Sequence, residues 1–309
     1  MALSRTTLSV TALTAVTPMV WGTTYVVTTE LLPPDRPLLA GMLRALPVGL
    51  LVVAATRVLP RGHWWWRAAT LGTLNIGAFF ALLFVSAYRL PGGVAATMGA
   101  AQPLVVAALA YVLLAERPTR WRLGWGVVGV LGVGLMVLTA QARLDGLGVV
   151  AGLAGTASMA AGIVLTKRWG RPDGVGVLAF TGWQLAAGGL VLLPLALAVE
   201  GAPPALGIGA VLGYAWLALV GTLLAYVLWF RGLARLPIGA FSFLPLLSPV
   251  MATVLGWALL HQALTPLQGL GFVLALGAIA AAQASPPRLR DIRRVSARSG
   301  GRLIPVRRS

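Results

Sequence analysis

Long apolar stretches dominate the pattern of this chain, and short joints rich in proline, glycine and charged residues separate them. A helix of about 20 apolar residues crosses roughly 30 Å of hydrocarbon, and each stretch reaches that length. The pattern therefore predicts an all-α membrane protein with ten transmembrane helices, whose ends are set to within several residues. We expect them near residues 8–29, 38–57, 67–88, 92–115, 121–140, 146–166, 174–199, 206–230, 237–260 and 265–284.

A segment of the first half of the chain recurs in the second half. Residues 93–116 align with residues 239–262 at an offset of 146, which places Pro103 on Pro249 without a gap. Two apolar segments can resemble each other by chance, but here the interspersed Gly, Pro and Arg positions agree as well, which favours duplication. We place the two repeats at about 8–140 and 146–284.

The number of helices in each repeat predicts how the repeats are oriented. Five is odd, so the second repeat enters the membrane inverted, and Arg89 and its counterpart Arg235 should lie on opposite sides. Inverted repeats recur in secondary transporters, where the substrate site lies near the midplane between the halves. We interpret residues 1–284 as one transmembrane transporter domain, with two inverted five-helix repeats around a central cavity. Residues 285–309 are predicted to be a basic, disordered cytoplasmic tail.

Composition agrees with a membrane protein and narrows the chemistry. Hydrophobic residues make up 58% of the 309 positions and charged residues only 10%, against roughly a quarter in soluble domains. The chain contains no cysteine, which excludes disulfides, thiolate metal sites and cysteine nucleophiles. All seven acidic residues fall at or beyond helix ends. Because no carboxylate lies at mid-depth to carry protons, facilitated diffusion or exchange is favoured over proton-coupled transport.

The formal charge of +17 suits either nucleic-acid binding or a signal for membrane orientation. With a cytoplasmic N-terminus, nearly all Lys and Arg fall on the cytoplasmic side, and only Arg36, Arg89 and Arg143 fall on the other. This bias predicts cytoplasmic N- and C-termini. Nucleic acid is therefore not an expected partner, whereas membrane lipids and a small-molecule substrate are.

Three features make the chain resemble the drug/metabolite transporter superfamily, EamA type. Trp21-Gly22 lies in the first helix, Pro103 and Pro249 lie at the centres of the fourth and ninth helices, and Glu116-Arg117 closes the fourth. The resemblance covers residues from about 8 to 284. Within the superfamily the chain is similar, more weakly, to bacterial aromatic amino-acid exporters.

That resemblance implies export of amino acids, possibly aromatic, or of related small metabolites across the bacterial inner membrane. It implies a cavity lined by helices 1–4 and 6–9, with helices 5 and 10 peripheral. The second repeat departs from the pattern, since His261-Gln262 replaces the acidic–basic pair at the end of helix 9. The alternatives are a carrier for another small solute, such as a drug-like compound, and a membrane protein that transports nothing.

Polar and aromatic residues that interrupt apolar helices indicate where the cavity lies. In the first helix they recur every three or four residues along one face, although threonine hydroxyls in helices also bond their own backbone. Asn75 needs a partner inside a bilayer, from either a wet cavity or a neighbouring helix. The candidate substrate-binding residues are Trp21, Thr24, Tyr25, Asn75, Phe79, Met98, Gln102, Trp183, Gln184, Tyr226, Trp229 and Ser248.

Pro103 and Pro249 are predicted as kink or gating positions. A proline frees a carbonyl about one turn earlier, near Gly99 and Pro245. Such a carbonyl, with Gln102 or Ser248, could hold a substrate ammonium group. The alternative is that both prolines only bend their helices.

Two further features leave alternatives open. Arg44, inside the second helix, either snorkels to the surface, forms a structural pair or holds a substrate carboxylate. Gly126, Gly129 and Gly132 in helix 5 pack either within the bundle or in a dimer, and we expect a monomer with a dimer as the alternative. The helices lack HExxH, GxSxG and paired aspartates, so we expect neither an enzyme nor a bound metal or cofactor.

Overall fold

The computed structural model describes residues 5–90, 98–137, 145–260 and 265–284. Within these ranges the chain forms ten helical passes, which confirms the predicted all-α membrane fold. Eight helices are long and apolar enough to span a membrane, and Gln102–Leu114 is a shorter apolar helix. The passes are α1 Arg5–Leu31, α2 Pro37–Thr56, α3 Trp64–Arg89, α4 Gln102–Leu114, α5 Arg120–Val137, α6 Gly146–Trp169, α7 Val177–Val199, α8 Ile208–Arg235, α9 over 238–260 and α10 Pro266–Gln283.

Helix pairing follows the repeat. α1 packs against α8 and α9, and its equivalent in the second repeat, α6, packs against the equivalents α3 and α4. α2 packs against α7, and α5 against α10, so each of these pairs joins equivalent helices. Arg89 at the end of α3 pairs with Asp145 at the start of α6, whereas Lys167 at the end of α6 donates to Leu233 O and Leu236 O at the end of α8. The equivalent helices α3 and α8 therefore end at opposite ends of the bundle, as inverted halves require.

The local backbone repeats as well. α3 contains a π-helical segment, Thr73–Gly77, and α8 contains another, Trp216–Leu224. The 146-residue offset superposes Asn75 on Gly221 within these segments. A π-helical turn disturbs the regular hydrogen-bond ladder and is often found at functional sites. Both equivalent carbonyls accept side-chain donors, since Tyr226 Oη donates to Asn75 O over 3.1 Å and Trp21 Nε1 to Gly221 O over 3.0 Å.

Three glycines of α5, Gly126, Gly129 and Gly132, face neighbouring helices of their own chain. A Cβ built at Gly132 would lie 2.8 Å from the backbone nitrogen of Ala275 in α10, and one at Gly126 would lie 2.7 Å from the Leu104 side chain. Gly129 likewise faces side chains of α9 and α10. Internal packing therefore explains these glycines, and α5 and α10 form a peripheral pair.

The start of α2 is held by a carboxylate from α7. Pro37 occupies the first turn, where its missing N–H costs nothing. Glu200, directly after α7, accepts hydrogen bonds from the backbone nitrogens of Leu38 and Leu39 over 2.6 and 2.8 Å. A carboxylate at a helix N-terminus satisfies otherwise free N–H groups, so this contact fixes α2 against α7.

The two ends of the bundle differ in charge. We call the end where α1 begins the N-side and the opposite end the far side. Among the described residues after α1, the far side carries the basic residues Arg36 and Arg89, and Arg44 lies within α2. The N-side carries the others, which are Arg57, Arg61, Arg67, Arg117, Arg120, Arg122, Lys167, Arg168, Arg171, Arg231 and Arg235. The predicted tail and His261 lie outside the described residues.

Candidate functional site

A cavity lies between the two repeats in the far half of the bundle. Helices α1, α2, α3, α6 and α9 line it together with residues just before and within α4, and its empty space is about 720 Å³ including the part open to solvent. The lining includes Arg44 from the second turn of α2 and Gly152 from the second turn of α6, which places it near the far side. The predicted residues that it brings together are Trp21, Thr24, Tyr25, Phe79, Met98, Gln102, Ser248 and Pro249.

The family resemblance implied that helices 7 and 8 also line the cavity, but no described residue of α7 or α8 belongs to its lining. Six of the predicted site residues also lie outside this cavity. These residues are Asn75, Trp183, Gln184, Tyr226, Trp229 and Pro103.

Trp21 separates the cavity residues from an aromatic block on the N-side. Its ring lies 5.3 Å from that of Tyr226 and 5.0 Å from that of Trp229, centroid to centroid. Trp229 in turn lies 4.1 Å from Phe241 of α9. Tyr226 and Trp229 are fully buried, so they support Trp21 from behind and do not line the cavity.

Asn75 and Gln184 are partners of each other. Asn75 Nδ2 donates to Gln184 Oε1 over 2.8 Å and to Thr166 Oγ1 over 3.3 Å, which joins α3, α7 and α6. A Cβ at Gly162 of α6 would lie 2.1 Å from Asn75 Oδ1, so only glycine leaves room for the amide. Of the two predicted partners for Asn75, a wet cavity or a neighbouring helix, the structure shows neighbouring helices.

Trp183 lies near the N-side, close to the start of its helix. α7 begins at Val177, so Trp183 is in its second turn. Its Nε1 donates to Val58 O over 2.6 Å, in the loop between α2 and α3. The sequence placed the start of helix 7 at residue 174 but gave no sign of this loop contact.

Both predicted prolines lie at interruptions of their helices. Pro103 lies in the first turn of α4, directly after a turn at 100–101. In α9 a 3-10 segment, Leu244–Leu246, precedes the helix that contains Pro249. Proline suits a first helical turn because its missing N–H has no intrahelical partner there. Gly99 and Pro245, where freed carbonyls were expected, both line the cavity.

The threonines of α1 mostly serve packing. Thr14 and Thr28 donate to carbonyls of their own helix over 2.7 Å, and Thr17 donates to Ala225 O of α8 over 2.9 Å. Of the described threonines in this stripe, Thr24 lines the cavity. The polar face of α1 thus contains threonines that hydrogen-bond to backbone carbonyls and one threonine that lines the cavity.

The family resemblance implied that helix 6 lines the cavity, but none of its residues was predicted for the site. Gly152, Gly155, Thr156 and Met159 line the cavity, and Thr156 Oγ1 donates to Met98 O over 3.1 Å. Small and apolar residues are common in all transmembrane helices, so they give no local signal. The repeat does indicate this wall, because α6 is the equivalent of α1, which also lines the cavity.

Arg44 lies in the interior, so the snorkelling alternative is wrong. Its side chain is 1% exposed. Nε donates to Thr222 Oγ1 over 2.7 Å, and Nη2 donates to Gly221 O over 2.9 Å. The guanidinium lies over the Phe80 ring at 4.3 Å. Arg44 therefore links α2 to the π-helical segment of α8 and also lines the cavity.

Acidic residues do not surround this site. Among the described residues, no group of three or more His, Cys, Asp or Glu side chains is placed to hold a metal ion. The cavity lining itself contains aromatic, apolar, hydroxyl and amide groups and one arginine, with no carboxylate among its described members. Such a lining can bind a small solute through ring contacts and hydrogen bonds.

Known proteins share the sequence pattern and the fold of this chain. The family described as "EamA-like transporter family" matches residues 9–138 and 146–282. Protein PecM of Dickeya dadantii (strain 3937) is 46% identical over 263 residues, which cover 85% of this chain and 88% of that protein. The threonine/homoserine exporter RhtA of Escherichia coli (strain K12) is 32% identical over 213 residues, covering 68% and 67%. A solved crystal structure with 20% identity shares the fold, at a TM-score of 0.69 over 89% of this chain and 98% of that one.

Proposed function

This chain belongs to the EamA-like transporter family, and from that premise we propose that it exports amino acids or related small metabolites by alternating access. Its relatives are transporters, and the chain is a multi-pass membrane transporter, not an enzyme. We assign residues 1–284 to the transporter domain and residues 285–309 to a cytoplasmic tail. The membrane is the bacterial inner membrane.

One observation carries the mechanism. The cavity lies between the inverted repeats in one half of the bundle, and Tyr226, Trp229 and Phe241 form the aromatic block that packs behind Trp21 on the N-side of the cavity. Alternating access requires a site that is closed toward one side of the membrane while it is reached from the other. Inverted halves can exchange these roles by rocking against each other. Pro103 and Pro249, at interruptions of equivalent helices, are the positions where that movement is absorbed.

Charge supports an orientation for this state. Cytoplasmic loops of membrane proteins carry an excess of Lys and Arg, and the N-side holds most of the described basic residues. We therefore assign the N-side and both termini to the cytoplasm. On this assignment the cavity lies toward the periplasm, and the aromatic block closes the cytoplasmic half.

The lining supports a small solute with a flat apolar part. Trp21, Tyr25 and Phe79 offer aromatic surfaces, and Gln102 and Ser248 offer hydrogen-bonding groups. The relative RhtA is named a threonine/homoserine exporter, which supports amino acids as the class. Asn75, Gln184, Trp183, Tyr226 and Trp229 act behind this surface by holding the helices that present it.

Counterflow in proteoliposomes tests the proposal. Vesicles containing the purified protein are loaded with an unlabelled aromatic or aliphatic amino acid, and the labelled compound is added outside. We expect transient accumulation of label, absent from protein-free vesicles, that an imposed pH gradient leaves unchanged because no carboxylate lines the cavity. Absence of counterflow for both amino-acid classes and for a broad metabolite panel would contradict export of such solutes.

A further inference from the structure

The cavity wall contains a cation whose charge nothing nearby balances. Arg44 is 1% exposed and lines the cavity. No Asp or Glu belongs to the described lining, and the acidic residues of the described chain lie at or beyond helix ends. A buried charge in a membrane protein is costly unless it is paired or reaches water. The described lining therefore carries a net positive charge, which an anionic ligand would balance.

The guanidinium is held so that one corner is left for a ligand. Thr222 accepts from Nε, the Gly221 carbonyl accepts from Nη2, and Phe80 covers one face of the group. Nη1 is buried and has no hydrogen-bond partner among the described residues. Groups of this kind are nearly always satisfied in folded proteins. Because Arg44 lines the cavity, a ligand bound there can supply the acceptor that Nη1 lacks.

Two more polar groups in the same wall lack partners within the described chain. Ser86 Oγ and Gln102 Nε2 are both buried without a hydrogen bond, and both residues line the cavity. A hydroxyl, an amide nitrogen and a guanidinium nitrogen can all donate. Three available donors around one cavity match a ligand that accepts several hydrogen bonds, and a carboxylate accepts about four.

We propose that Arg44 binds the carboxylate of the transported solute, and that this solute is a monocarboxylate with a flat apolar body. The proposal rests on the proposed function, because it uses the same cavity. Arg44, Ser86 and Gln102 hold the carboxylate, and Trp21, Tyr25 and Phe79 contact the apolar body. A substrate ammonium group meets no carboxylate in the described lining, so a free amino group is not required for binding. A net positive site also disfavours cationic drug-like compounds.

Three probes with one ring system and different charge test the proposal on the purified full chain. They are indole-3-acetate, its neutral amide indole-3-acetamide, and the cation tryptamine, and binding is measured by titration calorimetry in detergent. We expect the acid to bind at least about 10-fold more tightly than the amide, as for a charged hydrogen bond, and tryptamine to bind most weakly. Arg44→Gln should remove the preference for the acid while changing amide binding little. Arg44→Lys should keep part of it.

Arg89→Gln is the matched control, because Arg89 is exposed at the far side and pairs with Asp145 over 3.4 Å outside the cavity. It should bind all three probes as the unmodified protein does. Equal binding of acid and amide by the unmodified protein, or binding of none of the three probes, overturns the proposal. So does an acid preference retained by Arg44→Gln. If Arg44→Gln does not elute as a folded species, the order of the three probes on the unmodified protein decides the matter.

Counterflow separates this proposal from the function on which it rests. Selective binding of the acid without any counterflow would remove the transport function and leave the role of Arg44 intact. Counterflow of the amide and tryptamine as fast as the acid would keep the transporter and overturn the role of Arg44.

Discussion

At the scale of single residues, Trp21 has two roles in the site. Its ring lines the cavity on one side and contacts Tyr226 and Trp229 on the other. Its Nε1 donates to Gly221 O, the same carbonyl that accepts from Arg44. The Trp21 indole therefore contacts the cavity, the aromatic block and the π-helical segment of α8.

Trp21→Phe separates these roles. The smaller ring keeps an aromatic surface but loses the hydrogen bond to Gly221, which should lower stability by about 1 kcal/mol. We also expect a several-fold rise in the KM for counterflow, because the wall of the cavity recedes. Trp216→Phe is the control, since the Trp216 Nε1 donates to Thr23 Oγ1 over 2.9 Å on an exposed surface. Trp216→Phe should lose a similar amount of stability in thermal unfolding, and its KM should be unchanged. Equal KM values for the two variants would count against Trp21 as a cavity residue.

Residues that interrupt apolar helices could be identified from the sequence, but their partners could not. Trp21, Tyr25 and Gln102 stand out as polar or aromatic positions in helices, and the cavity includes all three. Asn75 stands out equally, yet it lies outside the cavity, and its Nδ2 donates to Gln184. The pattern shows that a buried amide needs a partner, but a helix 109 residues away can supply that partner as well as a solute can.

At the scale of helices, the site depends on how closely α1 approaches α9. A Cβ built at Gly22 would lie 2.8 Å from the Ser248 carbonyl oxygen and 2.8 Å from the Met251 Cβ. Glycine allows helix backbones in membranes to pack this closely. Because Trp21 and Ser248 both line the cavity, the spacing of these two helices sets its width.

Gly22→Val should push α1 and α9 apart. We expect counterflow to fall by about 10-fold or more, as when groups in a site are displaced by an ångström, while the protein still elutes as a folded species. Gly124→Val is the matched control, because a Cβ at Gly124 in α5 meets no atom within 4 Å. Near-normal transport by Gly22→Val would show that this spacing does not shape the site.

Periodicity and proline predicted the helices better than their irregular turns. The interruptions before Pro103 and within α9 follow from proline chemistry. The π-helical segments Thr73–Gly77 and Trp216–Leu224 do not, since nothing in their composition distinguishes them from ordinary apolar helix. α8 also continues to Arg235, beyond the expected end at 230, because its last turn is amphipathic and lies at the N-side surface.

At the scale of the whole molecule, the inverted repeat explains why the cavity lies between the two halves. Equivalent helices make equivalent contacts, yet equivalent positions carry different side chains. The carbonyl of Asn75 accepts from a tyrosine in the aromatic block, whereas that of Gly221 accepts from Trp21 and Arg44 in the cavity wall. Duplication was visible in the sequence through its prolines and glycines. Which half would be open was not, because that depends on how these unlike side chains pack.

Arg89 and Arg235 test the inversion directly. They are equivalent residues at the ends of α3 and α8, both are exposed, and they lie at opposite ends of the bundle. Because the chain has no cysteine, Arg89→Cys and Arg235→Cys each introduce one thiol. In intact cells a membrane-impermeant maleimide should label position 89 alone, and permeabilised cells should allow labelling of both. Arg61→Cys, exposed at the N-side, should behave like position 235. Labelling of positions 89 and 235 from the same side would refute the inverted arrangement. Labelling of position 235 but not of position 89 in intact cells would reverse the assigned orientation and leave the fold unchanged.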